Sequence, residues 1–195
     1  MSLQSSARVL TFTGSNGADH ITAWPSDDKI LGKNGADTIF AGDGDDTING
    51  GRRADDIYSE DGNDKINGGR GHDFIDGGAG NDVIRGGRGK DTIEGGDGND
   101  VISGGRGHDI LMGGEGSDLV KGGRGNDLVN GGDGNDLLHG GKGAELFFGS
   151  FGDDRLFSGD GFDGMDGAEG NDYLNGGRGN DILPSWSGDD TMVGG

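Results

Sequence analysis

The chain has 195 residues and a formal charge of -20, and Leu, Ile, Val and Phe fill only 38 positions. So little apolar surface beside so much charge excludes an ordinary globular core and, by composition alone, reads as a chain that stays disordered unless something bound holds it together. Thirty-six acids against 16 Lys and Arg disfavour nucleic acid and anionic membranes as partners, and the absence of cysteine excludes disulfides and thiolate metal sites.

In chain order, residues 1–13, MSLQSSARVLTFT, lack the charged-then-apolar pattern of a cleavable signal peptide. Val9 to Thr13 is expected to form a strand that caps the repeats beginning at Gly14. No apolar run anywhere approaches the roughly 18 residues of a membrane span. From Gly14 to Val193 the chain divides into twenty units of nine residues without an insertion or deletion. Each unit follows Gly-Gly-x-Gly-x-Asp-x-U-x, with U apolar. The fourth position is Gly in eighteen units, failing at Ser26 and Arg53, and the eighth is always apolar, from Ile21, Ile30 and Ile39 to Leu111, Val120, Phe147 and Met192. The sixth is Asp in nineteen, with Glu145 the exception.

The Gly-rich half is predicted to be a tight turn, because glycine accepts positive φ and close backbone approach. The x-U-x half is predicted to be a strand of about three residues whose apolar side chain faces inward. One unit alone buries nothing, so copies must stack as a parallel solenoid with rungs about 4.8 Å apart. The number of strands per rung is read from a second period. At the third position one set of units carries Asn16, Asn34, Arg52, Arg70, Arg88, Arg106, Arg124, Lys142, Asp160 and Arg178, whereas the intervening set carries Pro25, Asp43, Asp61, Ala79, Asp97, Glu115, Asp133, Phe151, Glu169 and Ser187. The fifth position alternates too, with Asp27, Asp45, Asn63, Asn81 and Asn99 in the second set. Two strands per rung would place the sets on opposite edges, and three would mix them. Duplication of an eighteen-residue segment would leave the same alternation, but the two-edge reading is preferred.

This repeat resembles the RTX, or haemolysin-type, calcium-binding nonapeptide over residues 14–195. The resemblance implies a right-handed parallel β-roll, an all-β solenoid here of about ten two-strand rungs, with each calcium between turns of successive rungs. It also implies the ligands: backbone carbonyls of the Gly-rich loops and the sixth-position aspartates. Carried over, these are Asp19, Asp37, Asp46, Asp64, Asp73, Asp82, Asp91, Asp100, Asp109, Asp118, Asp127, Asp136, Asp154, Asp163, Asp172, Asp181 and Asp190. The turns AWPSDD around Asp28, GGRRAD around Asp55 and GGKGAE around Glu145 depart from the pattern and are set aside. Ten turns per edge leave eighteen gaps, five of which touch a departing turn, so thirteen calcium sites are expected. Elementary electrostatics agrees, since aspartates stacked one rung apart repel unless a divalent cation lies between them, and carboxylate and carbonyl oxygens suit calcium. The chain is therefore expected to be disordered without calcium and rolled with it. The resemblance further implies an extracellular module exported unfolded by bacterial type I secretion. The non-repetitive C-terminal signal usual for such export is missing, which leads us to expect a fragment of a larger protein.

Other features carry secondary readings. The cationic run from Arg52 to Lys142 would suit an acidic polysaccharide, or self-association of basic edge with acidic edge. The preferred reading is that these cations reach neighbouring carboxylates. Phe148, Phe151, Phe157 and Phe162 are predicted to face outward as a cluster, which suggests either a docking surface or local repacking. His20, His72, His108 and His139 are isolated, and GDGFDG at 159–164 lies within the nine-residue register without a strand-to-helix context, so no enzyme is expected. Ice binding would need a row of Thr and Asx along one edge, and acids at the third position argue against it.

Overall fold

The computed structural model describes residues 9–184 and 187–194. Every regular element among them is a strand, and each strand pairs in parallel with the one eighteen residues away. Two sheets result. The first runs from Thr11–Thr13, Lys29–Asn34 and Thr47–Arg52 to Tyr173–Asn175 and Thr191–Val193. The second takes the alternate strands, from His20–Thr22 and Thr38–Phe40 to Leu146–Phe151 and Gly164–Glu169. Registers such as Ile102 with Val120 in the first sheet and Leu111 with Val129 in the second fix the rung as two units, one strand in each sheet. The roll of about ten rungs and two edges is what forms.

At the N-terminal end Thr11–Thr13 pairs with Lys29–Leu31, and the Leu10 N–H donates to Asp28 Oδ1 at 3.0 Å. This strand takes up three of the five residues expected to form it, Val9 to Thr13, and residues 1–8 lie outside the described part.

Most strands are longer than the predicted apolar triplet. Val101–Arg106 has six residues and pairs through Gly105 with Gly123 and Arg106 with Arg124. The expectation that the whole Gly-rich half is turn is thus corrected. The backbone stays extended through the third position, and reverses over the next three. Its reason is hydrogen bonding: edge N–H and C=O groups need partners, and the same segment of the next rung supplies them, as where Gly107 N–H donates to the Arg124 carbonyl at 2.9 Å. From Lys33 to Gly177 the second position is left-handed. Gly123 has φ 111°, and a Cβ there would strike the Gly105 carbonyl. Lys33, Glu60, Ser150 and Ala168 hold the same conformation with φ between 67° and 85°, at a cost of roughly 1 kcal/mol or more each.

Positions six, eight and one point inward. The eighth-position residues from Ile30 to Leu174 are at most 2% exposed and make a single row between the sheets, each contributing roughly 2 kcal/mol. Phe12 and Leu183 pack against the two ends of this row, while Met192, in the last rung, is half exposed.

The predicted aromatic cluster does not form. Phe148 lies on the second sheet and Phe157 on the first, where it meets the rings of His139 and Tyr173 at 5.1 and 5.5 Å. Phe151 and Phe162 are exposed at opposite edges. Residues one unit apart belong to different sheets, so nearness in sequence separates these rings instead of gathering them.

Candidate metal centre

The sixth position closes each turn just before the chain enters the opposite sheet, and its side chain points inside. Asp28 through Asp172 are at most 3% exposed. Each accepts the backbone N–H of its counterpart one rung earlier: Asp82 N–H donates to Asp100 Oδ1 at 2.8 Å, Asp100 N–H to Asp118 Oδ1 at 2.7 Å, and on the other edge Asp91 N–H to Asp109 Oδ1 at 2.9 Å. Two columns of carboxylates therefore run the length of the roll, and all seventeen aspartates predicted as ligands stand in them.

Asp28 and Asp55 stand there too, although their turns led us to set them aside. Asp28 N–H donates to Asp46 Oδ1 at 2.6 Å, and Asp55 takes the Asp37 N–H at 2.9 Å. The parallel pairing on either side of the turn fixes the carboxylate, so Ser26 and Arg53 in the loop leave it in place. Glu145 does interrupt its column. Its own N–H reaches Asp163 Oδ1 at 2.9 Å, but among the described residues the Asp127 N–H meets neither of its oxygens, which are both buried without a donor.

The second oxygen of each column aspartate decides the chemistry. Oδ2 of seventeen aspartates, Asp28 to Asp136 and Asp154 to Asp181, is buried with no hydrogen-bond partner. Native proteins leave only a few such groups per hundred residues, and a buried unpaired carboxylate is far costlier than a neutral group. Burial, aided by adjacent carboxylates and opposed by the backbone N–H donors, pushes Asp46, Asp73, Asp82 and Asp154 up to about 7. The same causes raise Asp100, Asp109 and Asp136 to about 6, and burial with Asp163 beside it takes Glu145 to about 8.

Oxygens of successive rungs converge at these orphans. The space beside the Gly95 Cα is bounded by Asp100 Oδ2 and the Gly113 carbonyl, and that beside Gly32 by Asp37 Oδ2 and the Gly50 carbonyl. No three acidic or histidine side chains gather at one point among the described residues, so a cation here would complete its shell from the backbone. Mixed carboxylate and carbonyl oxygen, from a flexible loop, is the donor set of calcium. Ser59 and Ser158 replace the first-position glycine in two turns, and their hydroxyls already donate to the Gly77 and Gly176 carbonyls at 2.6 and 2.7 Å. Sequence reasoning passed over this position, and the missing glycine was the signal.

The profile of the RTX calcium-binding nonapeptide repeat, four copies long, matches at residues 11–39, 25–57, 40–75, 49–84, 76–111, 112–145, 148–183 and 166–195. The chain belongs to the RTX calcium-binding nonapeptide repeat family. Among curated proteins no relative matches it. The RTX repeats make the chain a calcium-binding β-roll, a structural module.

The RTX roll has another column that the alternation at the fifth position hinted at without explaining. On the edge of Asp28 to Asp190, the N–H of each fifth residue donates to the side chain one rung earlier: Asn63 to Asp45 Oδ1 at 2.8 Å, Asn81 to Asn63 at 2.9 Å, Asn99 to Asn81 at 2.8 Å, and so to Asp189. This ladder points opposite to the aspartate columns. The other edge has it only in part, where His72 and His108 accept the Lys90 and Asn126 N–H through Nδ1, each at 2.7 Å. The expectation that Arg52, Arg70, Arg88, Arg106, Arg124 and Lys142 reach neighbouring carboxylates fails, since none of them forms an ion pair among the described residues. They stand in register at the strand ends and project outward, while the carboxylates of their own edge point in.

Proposed function

We propose that this β-roll is an extracellular module whose folding is driven by calcium, exported unfolded through a bacterial type I route from a low-calcium cytosol and rolled up outside. The columns of orphaned carboxylate oxygens support this most directly. Rolled without a cation, the chain must either bury some seventeen half-satisfied carboxylates or protonate them. The seventeen predicted aspartates serve as ligands from the side chains, with thirteen gaps as the core set. The gaps bordered by Asp28 and Asp55 keep the column geometry, which leaves only the two beside Glu145 defective. For sites with Kd of about 1 mM in about 10 mM calcium, linkage contributes roughly 1.4 kcal/mol each. Some thirteen sites together exceed the roughly 5 to 15 kcal/mol of a typical domain's net stability.

Circular dichroism of the chelated chain, titrated with calcium and in parallel with magnesium, tests the reading. An unordered spectrum that turns to β-structure with calcium alone is expected, because magnesium demands tight octahedral geometry and gives up its waters reluctantly. A chain already rolled in chelator above neutral pH, or an equal response to both ions, would sink it. Asp100→Asn separates backbone from cation roles. The amide oxygen still accepts the Asp82 N–H, yet calcium should be lost from the two gaps that residue borders, as read by equilibrium dialysis.

A further inference from the structure

Charge on the outside of the roll is sorted by face. With the twenty sixth-position acids set apart, the first sheet and the edge its strands run into carry all fifteen Lys and Arg of the described residues, and a single acid, Asp160. The second sheet and its edge carry fifteen acids and no cation. Along the cationic edge Arg52, Arg70, Arg88, Arg106 and Arg124 line an open trough of about 750 Å³. Along the opposite edge Asp97, Glu115 and Asp133 are exposed and stand in register at the ends of the second-sheet strands.

We infer that folded copies of this chain associate side by side, the cationic edge of one against the acidic edge of the next. Both ladders are set by the same rung, so their pitches are identical, and an arginine can meet a carboxylate at each of the three consecutive steps Asp97, Glu115 and Asp133, a run bounded by Ala79 and Phe151. The guanidinium fork suits that pairing geometrically, two N–H groups to two oxygens. Neither ladder is neutralised within its own copy, because the width of the roll separates them. A soluble polyanion would explain the cations and leave the sorting of fifteen acids to the other half without a role; a second copy explains both. The two patches lie on opposite edges of one molecule, so the contact is heterologous and does not close, giving ribbons that grow laterally.

The inference needs the calcium-folded roll, so each sample is first shown to be β-structured in calcium by circular dichroism. Failure at that step counts against the calcium reading alone. Sedimentation velocity in calcium should then show the average mass rising about twofold or more as salt falls from about 1 M to about 0.02 M, where screening is weak. The triple variant R88E/R106E/R124E and the triple variant D97R/E115R/D133R should each remain monomeric at low salt, and an equal mixture of the two should associate. Asp160 already occupies the third position on the cationic edge, so such reversals are compatible with the fold. A wild-type chain monomeric at low salt overturns the inference, as does either variant associating alone or a mixture that stays monomeric. Binding of a soluble polyuronate by a chain that is otherwise monomeric would assign the ladder to a polysaccharide instead.

Discussion

At Glu145 the side chain is one methylene longer than its neighbours in the column, and that is enough to overshoot the Asp127 N–H and leave both oxygens buried without a donor. Glu145→Asp should draw the carboxylate back into line. We expect a gain of about 1 kcal/mol from the restored hydrogen bond, together with more calcium bound per chain. Unchanged stoichiometry and melting temperature in calcium would show that the column does not depend on side-chain length. The sixth position itself was legible from spacing, because an acid recurring every nine residues stacks carboxylates at a separation that a divalent cation relieves. What the loop sequence concealed was that Asp28 and Asp55 take the same place as the rest. Their irregular turns are visible in the sequence, whereas the strand pairing that holds their carboxylates lies eighteen residues away.

Within one edge, the fifth-position ladder joins ten turns through single side-chain oxygens. Removing it locally with Asn81→Ala and Asn99→Ala should cost about 1 kcal/mol per lost bond, read as a higher calcium midpoint for folding. The corresponding Asn→Asp changes should be nearly neutral for the ladder, since Asp45 and Asp153 already accept in it. Equal loss from Ala and Asp would mean that the amide, and not the acceptor oxygen, is what matters. Strand length is not legible in the apolar triplet. The apolar triplet marks only the residues that alternate in and out, and the Gly-Gly-x after it is extended because its partner is the next rung, which local pattern cannot reveal.

Across the whole roll the raised carboxylates give a pH dependence opposite to that of a domain held by salt bridges. Their unfolded value is near 3.8 and their folded values rise to about 6 or 7, so without calcium the folded state binds the extra protons. The stability they supply is fully present below about pH 4 and is lost as pH rises through 6 to 7. Chelated protein should thus show most β-structure in acid and least above neutrality. With calcium present the order reverses, because the ion must displace those protons, and its folding midpoint should climb as pH falls from 7 to 5. A chelated chain that gains β-structure between pH 4 and 8 would contradict this assignment. The sequence by itself determined the period, the apolar row, the acid at the sixth position and the alternation of sign, all of which repeat within nine or eighteen residues. Only the tertiary structure decided which faces the alternating residues occupy. A unit's side of the roll depends on how many strands complete a rung, and that is a property of closure through contacts between rungs. From closure came the opposed ladders, the separation of the four phenylalanines, and the sorting of every described cation to one half of the molecule.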